Sequence, residues 1–273
     1  MTTATTKIVL IGAGSAMFTR GLVADMIQSP ALGPWTLGLV DTDPAALATA
    51  EGLSRRMINV TQAPVTLQAS VDRREVLAGA DVVVTTIGVG GRRAWEADVF
   101  IPRSFGIYQP VGDTVGPGGL ARGLRHVPFA VQVAREMEQL CPDAWMLNVT
   151  NPMTTICRGV TRATGIRTIG LCHEVIGVSH HLADMFDADA ADIALEVGGI
   201  NHLPVILRCD IDGRDGLALV REWVAERGPF APLDQVDLNN VFDVFVDRLA
   251  VKLTLFEQFG VLFGAGDRHV AEF

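Results

Sequence analysis

Residues 7–18 read KIVLIGAGSAMF, an apolar run followed by a glycine-rich turn. The consecutive apolar residues 8–11 are typical of a strand that is covered on both faces. Gly12 permits a tight turn, and Gly14 lets a phosphate approach the backbone where free N–H groups at a helix start attract an anion. Because Met17 replaces the third glycine of the G-x-G-x-x-G pattern, an ordinary turn stays open as an alternative for this stretch alone.

The residues that follow complete a strand, turn, helix and strand unit. Apolar side chains recur at helical spacing between Gly21 and Ser29, and WTLGLV at 35–40 predicts a second strand. Asp41 comes directly after this strand, where a carboxylate accepts hydrogen bonds from an adenosine ribose. The unit therefore favours a dinucleotide site. The carboxylate favours NAD over NADP because it would repel a 2′-phosphate.

Strands and helices continue to alternate along the first part of the chain. Between helical stretches, further strands are predicted at 65–69, 81–87, 144–149 and 167–171. This alternation predicts an α/β fold with a Rossmann-type, doubly wound parallel sheet. Ligands bind at the carboxyl ends of such strands, so we expect one edge to carry Asp41, Gly88, Asn151 and Cys172. The glycine-rich residues 112–119 predict a loop before a long helix at 120–140.

The pattern changes after about residue 175, where the start of a second, α+β domain is predicted. Asp212-Gly213 indicates a hairpin, and two helical stretches follow, the second at 237–259. We therefore divide the chain into an NAD-binding Rossmann domain, 1–174, and a substrate and metal domain, 175–273.

Composition limits the classes of partner. The chain has 273 residues and a net charge of −9, which argues against nucleic acids and anionic membranes as partners. It contains no apolar run long enough to span a bilayer, and from the short polar start we expect no signal peptide. Its four cysteines include no C-x-x-C pair, so we expect free, mostly buried thiols in a cytoplasmic protein.

Two further groups of residues are candidates for chemistry. Cys172 and His202 can hold a divalent metal beside the nicotinamide and leave positions open for substrate, or they can be a buried thiol and a core histidine. The turn at 88–91, GVGG, lets backbone pass close to a nicotinamide ribose. Arg92 and Arg93 follow, and they either face an anionic substrate or lie on the solvated surface.

Six stretches in order along the chain resemble family 4 of the glycoside hydrolases, the NAD- and metal-dependent glycosidases. They are residues 12–15 with Phe18, 85–91, 113–119 with 124–125, 148–153, 172–174 and 199–202. The resemblance implies hydrolysis of an O-glycosidic bond by redox chemistry rather than by two carboxylates. NAD takes hydride from C3, the C2 proton is removed, the glycosidic oxygen leaves, water adds, and C3 is reduced again.

The resemblance also implies site residues. The metal, Mn²⁺ or another divalent ion, is expected on Cys172 and His202. Cofactor-binding residues are expected to be Gly12, Gly14, Ser15, Phe18, Asp41, Gly88 and Asn151. Substrate-binding residues are expected to be Asn151, Arg93 and His173, and catalytic residues Asp113, His173 and Asp267. His173 follows the pattern of members that act on unphosphorylated sugars, so a hexoside or a hexuronide is expected.

The chain also departs from the family pattern. Many members use a tyrosine of the second domain as base, but Tyr108 is the only tyrosine here and does not match. The base must therefore be another group or lie outside this chain, and Asp267 is the candidate, with His269 as runner-up. The chain is also shorter than family members, so the second domain is expected to be incomplete.

Two alternatives to a glycosidase stay open. One is a lactate/malate-type dehydrogenase, which has a similar fold and a comparable Thr150-Asn151-Pro152 stretch. The other is an inactive NAD-binding fragment. For a glycosidase, the expected partners are a small-molecule glycoside and further copies of the chain in a homo-oligomer, a dimer or tetramer.

Overall fold

A computed structural model describes residues 5–15, 18–229 and 249–273. The chain forms two compact units, Met1–Trp95 with Ala121–Leu171, and Glu96–Leu120 with Cys172–Phe273. Each unit contains its own sheet. The division into 1–174 and 175–273 stays a prediction. Residues 237–248 of the helix predicted at 237–259 lie outside the described residues.

The first unit contains a six-stranded parallel sheet. Its strands are β1 (Thr6–Ile11), β2 (Trp35–Val40), β3 (Val65–Ser70), β4 (Val82–Thr85), β5 (Trp145–Asn148) and β6 (Arg167–Gly170). Their order is β3-β2-β1-β4-β5-β6, which is that of a doubly wound dinucleotide-binding sheet. The predicted Rossmann-type fold is therefore confirmed. Val9, Leu10, Leu37 and Val83 are almost fully buried, as the apolar runs of a covered sheet require.

Helices connect the strands of this sheet. They are α1 (Phe18–Gln28), α2 (Pro44–Thr61), α3 (Arg73–Leu77), α4 (Gly91–Ser104), α5 (Gly116–Leu140) and α6 (Met153–Ala163), with α4 and α5 running through both units. Asp43 caps α2, since its carboxylate accepts hydrogen bonds from the N–H groups of Ala45 and Ala46. Pro44 occupies the first helical position, where its missing N–H leaves no hydrogen bond unmade.

The predicted loop at 112–119 is partly wrong, because α5 begins at Gly116. Gly116 still has a left-handed φ of 65°, but Gly118 and Gly119 serve close packing within the helix. A Cβ on Gly119 would lie closer than 3.0 Å to backbone atoms of Thr114, and one on Gly118 would lie 2.8 Å from the carbonyl oxygen of Asp98. Glycine content therefore gave the wrong assignment, since the same residue permits both a loop and a tight contact.

The second unit contains an antiparallel sheet of β7 (Ile193–Ile200), β8 (Leu203–Ile211) and β9 (Arg214–Asp215). The hairpin predicted at Asp212-Gly213 is confirmed, with φ of 51° and 75°. Its helices are α7 (Glu174–Phe186), α8 (Gly216–Arg227), α9 (Ala250–Phe259) and α10 (Asp267–Val270). In the part of the chain that the structure describes, no helix has the length and apolar character needed to cross a membrane.

Candidate functional site

The turn after β1 has a conformation that only glycine adopts easily. Gly12 has a φ of 95°, and a Cβ there would lie closer than 3.0 Å to the carbonyl oxygen of Thr86. The N–H groups of Gly12 and Ala13 both donate to the carbonyl oxygen of Val40, each over 2.9 Å. The end of β1 is thereby joined to the end of β2, where Asp41 follows.

Asp41 is held by the glycine turn itself. Its Oδ2 accepts a hydrogen bond from Gly14 N over 2.8 Å, and its Oδ1 accepts one from Asp43 N over 2.9 Å. A Cβ on Gly14 would lie 2.7 Å from that Oδ2, so the cradle requires glycine. Each carboxylate oxygen can accept more than one hydrogen bond, so Asp41 can still accept hydrogen bonds from ribose hydroxyls. These residues fit an adenosine nucleotide.

The other predicted cofactor residues of the first unit surround the same strand ends. Ser15 precedes α1, and its Oγ accepts a hydrogen bond from Phe18 N over 3.4 Å. Asn151 follows β5, and its carbonyl oxygen accepts a hydrogen bond from Arg122 Nε over 3.0 Å. Gly88 follows β4, and a Cβ there would meet open space. Arg93 is an exposed residue of α4.

Sequence reasoning missed His126, which holds the glycine turn after β4. The side chain is fully buried in α5, and its Nε2 accepts a hydrogen bond from Val89 N over 3.1 Å. Its Nδ1 lies 2.8 Å from the carbonyl oxygen of Arg122, so Nδ1 donates and Nε2 accepts. A histidine on the apolar side of a predicted helix was the available signal. The sequence did not show which backbone groups it binds.

A buried threonine and asparagine network was also missed at the ends of β4 and β5. Thr85 Oγ1 donates to Asn148 Oδ1 over 2.9 Å, and Thr150 Oγ1 donates to the carbonyl oxygen of Thr85 over 3.2 Å. Thr150 Oγ1 also accepts a hydrogen bond from Ile87 N over 2.9 Å. These bonds fix the backbone just before the predicted cofactor residues Gly88 and Asn151. Polar residues at the end of apolar strands were the signal.

The second unit contains a buried cluster of groups that can ligate a metal. Asp113, His202 and His269 each offer one ligand atom, and these atoms lie within 4.8 Å of one another. Asp113 precedes α5, His202 lies in the turn between β7 and β8, and His269 lies in α10. The rings of His202 and His269 stack, with centroids 3.6 Å apart. Among the described residues this is the group with metal-site geometry.

Burial keeps His202 in the form that binds metals. Its side chain is 2% exposed, and burial, together with neighbouring His269, lowers the pKa of His202 to about 4. The carboxylates of Asp113 and Glu174 oppose this shift but do not reverse it. The imidazole is therefore neutral near pH 7, as a metal ligand must be.

The cluster contains a group that lacks a protein partner. Nδ1 of His269 is buried without a hydrogen-bond partner among the described residues. The nearest carboxylate oxygen, Oδ1 of Asp113, is 3.9 Å away, too far for a hydrogen bond. An orphaned buried nitrogen beside a carboxylate and a neutral imidazole fits a divalent cation such as Mn²⁺ or Zn²⁺.

Glu272 holds the loop that carries Asp113. Its Oε1 accepts hydrogen bonds from Val111 N, over 2.6 Å, and from Gly112 N. Its Oε2 is buried and has no partner among the described residues, and burial raises the pKa of the Glu272 carboxyl. Sequence reasoning did not identify this residue, because the contact joins positions far apart in the chain.

Cys172 lies outside the three-residue cluster, and its predicted role stays a prediction. It is an exposed residue, unlike the buried Cys141 and Cys209, and all four cysteines are free, as expected. Partial burial of the thiol raises the pKa of Cys172, and the negative charges of Glu174 and Asp113 contribute. A bound cation would reverse this effect, because metal coordination deprotonates a thiol.

A pocket of about 310 Å³ lies in the second unit, between α7 and α10. Its lining includes His173, Glu174, His181, Asp267, Arg268 and His269. Asp267, the predicted base, caps α9, since its carboxylate accepts hydrogen bonds from Val251 N over 2.9 Å and Lys252 N over 3.1 Å. Glu174 accepts a hydrogen bond from Gly266 N over 2.6 Å. Tyr108 is largely exposed and does not line this pocket.

Comparison with known proteins shows the family of this chain. A sequence model described as "Family 4 glycosyl hydrolase" matches residues 7–188, which is more than half of the chain. This chain belongs to family 4 of the glycosyl hydrolases. An alpha-glucosidase of Erwinia rhapontici is 39% identical over 79% of this chain and 49% of its own length. An alpha-galacturonidase of Bacillus subtilis is 36% identical over 98% of this chain and 60% of its own length.

Solved structures agree with the fold. The Bacillus subtilis protein named as glucosidase lplD superposes with a TM-score of 0.88 at 34% identity, over 98% of this chain and 62% of that chain. A malate dehydrogenase of Cryptosporidium parvum superposes with a TM-score of 0.59 at 15% identity, over 98% of this chain and 76% of that chain, which shows a shared fold alone. The chain spans about half to three fifths of the length of the curated relatives it matches.

Proposed function

We propose that this family 4 chain takes part in hydrolysing an O-glycosidic bond with the help of NAD and a divalent metal. The observation that carries the proposal is the buried cluster of Asp113, His202 and His269, which fits a metal ion. The glycine turn joined to Asp41 supports the cofactor part. A related 6-phospho-alpha-glucosidase from gut microorganisms was crystallised with NAD and Mn²⁺.

When bound, NAD supplies a reversible hydride acceptor for C3 of the sugar, and the metal supplies a Lewis acid for neighbouring oxygens. In the first unit, Asp41 would orient the adenosine ribose. Gly12, Gly14 and Ser15 would leave room for the pyrophosphate, and Phe18, Gly88 and Asn151 are the other proposed cofactor residues. In the second unit, His202 would hold the metal with Cys172, as the family resemblance implies, and Asp113 and His269 would complete the set.

Proton transfer at C2 requires a base in the pocket of the second unit. We assign this role to Asp267, with His269 as runner-up. Both side chains line the pocket, and both are mostly buried, at 14% and 17% exposed. Asp267 also caps α9 through backbone N–H groups, and these bonds hold its carboxylate in one orientation.

The side chains of the pocket favour a sugar that carries a carboxylate. His173 and Arg268 line the pocket and can bind a carboxylate, and Glu174 and Asp267, which also line the pocket, are carboxylates themselves. Relatives that match almost all of this chain, over about three fifths of their own length, are named alpha-galacturonidases. A hexuronide is therefore our proposed substrate, with an unphosphorylated hexoside next. Asn151 and Arg93 are the proposed substrate contacts of the first unit.

We further propose a cytoplasmic homo-oligomer, a dimer or tetramer. The four free cysteines support a reducing compartment. Light scattering of the purified protein tests the oligomeric state, and a monomer at micromolar concentration would contradict it.

The proposed function is tested by asking whether hydrolysis requires both NAD and the divalent metal. Hydrolysis of an aryl α-D-galacturonide should require NAD, Mn²⁺ and a reductant, and Cys172→Ser and His202→Asn should each abolish it. Full activity in EDTA without added NAD would contradict the proposal. Stoichiometric NADH formation from a 2-hydroxy acid would instead indicate a dehydrogenase, and absence of any turnover an inactive NAD-binding fragment.

A further inference from the structure

The hydroxyl of Thr114 lies between two members of the buried cluster. Its Oγ1 is 2.6 Å from Asp113 Oδ1 and 2.6 Å from His202 Nδ1. Asp113 and His202 are not directly bonded, because the closest approach of Asp113 Oδ1 to His202 Nδ1 is 3.9 Å. Thr114 therefore provides the connection between the carboxylate and the imidazole.

Counting protons fixes the direction of both bonds. A carboxylate only accepts hydrogen bonds, and a hydroxyl has one proton to donate. The Thr114 proton is directed to Asp113 Oδ1, so the hydroxyl oxygen must accept from His202 Nδ1. His202 then carries its proton on Nδ1 and keeps the lone pair of Nε2 for another ligand.

We propose that Thr114 is a positioning residue that sets the tautomer of His202 and presents Nε2 as the metal-binding nitrogen. The role of the metal rests on the proposed function, whereas the tautomer is a property of the metal-free protein. Metal-binding histidines commonly donate their other ring N–H to a protein group, which fixes the ring orientation. Here that group is a hydroxyl whose own proton is held by a carboxylate.

The surroundings of His202 disfavour the opposite tautomer. The side chain is 2% exposed, so water does not compete for Nδ1. The backbone at His202 is left-handed, with a φ of 68°, in the turn between β7 and β8. Such a conformation is uncommon for a residue other than glycine, and structure around it must hold it in place.

Thr114 is itself fixed by close packing. Backbone atoms of Thr114 lie where a Cβ of residue 119 would stand, so Gly119 allows this approach at the start of α5. The hydroxyl is therefore carried by a rigid junction of loop and helix. Rigid support of this kind is what a positioning group requires.

Two matched substitutions test the proposal. Thr114→Val has nearly the same shape without the hydroxyl, and Thr114→Ser keeps the hydroxyl without the methyl group. Nitrogen-15 NMR of the metal-free protein reports the tautomer of each histidine, and the His202 signals are assigned by their loss in His202→Asn. Manganese affinity is measured separately by electron paramagnetic resonance titration.

The wild type and Thr114→Ser should show His202 protonated at Nδ1, and Thr114→Val should show a mixture or the opposite tautomer. Mn²⁺ affinity should fall about 10–100-fold in Thr114→Val and recover in Thr114→Ser. An unchanged tautomer and an unchanged Mn²⁺ affinity in Thr114→Val would overturn the proposal. Equal losses of Mn²⁺ affinity in Thr114→Val and Thr114→Ser would also overturn it. A wild type with the expected tautomer that binds no Mn²⁺ would overturn the proposed function instead.

Discussion

At the scale of single residues, the environment of His202 differs strongly between the unfolded and the folded chain. Burial lowers its pKa from an ordinary 6.5 to about 4. Between these values the unfolded chain binds the proton and the folded chain does not, so stability falls as the pH falls from 6.5 towards 4. At about 1.4 kcal/mol per pKa unit, the loss amounts to a few kcal/mol.

The substitution His202→Asn should remove this part of the pH dependence. Asparagine tolerates a left-handed backbone, so the turn is expected to survive. Urea unfolding of metal-free protein at pH 7, 6, 5 and 4.5 measures the effect, with His180→Asn, at an exposed position of α7, as the control. Equal losses of stability in His202→Asn and His180→Asn as the pH falls would contradict this role of His202.

At the scale of elements, the start of α5 depends on glycines that local sequence rules assign to a loop. Replacing Gly119 with alanine forces a Cβ against the backbone of Thr114, so we expect Gly119→Ala to cost about 1–3 kcal/mol. Gly52 is exposed within α2 and has open space at its Cβ position. At this position the change to alanine should raise the free energy of unfolding by about 0.5–1 kcal/mol, because alanine loses less conformational freedom in a helix than glycine does.

The denaturation midpoints of Gly119→Ala and Gly52→Ala show whether Gly119 is needed for close packing or only for backbone flexibility. Because Thr114 should shift with the helix start, Gly119→Ala is also expected to weaken Mn²⁺ binding, whereas Gly52→Ala should not. Two variants with the same gain in stability would mean that the first turn of α5 can move away from Thr114.

At the scale of the whole molecule, the proposed cofactor and metal residues belong to different compact units. We therefore expect single substitutions to affect one ligand at a time in the absence of substrate. Asp41→Asn keeps an acceptor for Gly14 N but loses the charge and the acceptor for Asp43 N, and it should weaken NAD binding about tenfold or more. His202→Asn should weaken Mn²⁺ binding and leave NAD binding unchanged.

Fluorescence titration measures the NAD affinity of each variant, and electron paramagnetic resonance titration measures its Mn²⁺ affinity. Loss of both ligands in either variant would show that the two sites are linked before substrate binds.

How much could be predicted from the sequence depends on how far apart in the chain the interacting residues are. The six parallel strands and the cap at Asp43 are encoded by neighbouring residues, so they could be inferred from runs and spacing. Family resemblance added His202, which lies in the cluster. The partnership of Asp113 with His269, the anchor from Glu272 and the clamp by His126 join distant segments. Such contacts depend on tertiary packing, and a single sequence carries no pattern that reports them.

The central claim is that hydrolysis passes through removal of the C2 proton of the sugar. The most direct measurement is turnover of the galacturonide in D₂O with NAD and Mn²⁺, followed by NMR of the released sugar. We expect deuterium at C2 of the product, and no released sugar from His202→Asn. Hydrolysis that leaves hydrogen at C2 would contradict it, because a direct displacement at C1 never breaks the bond between C2 and its hydrogen.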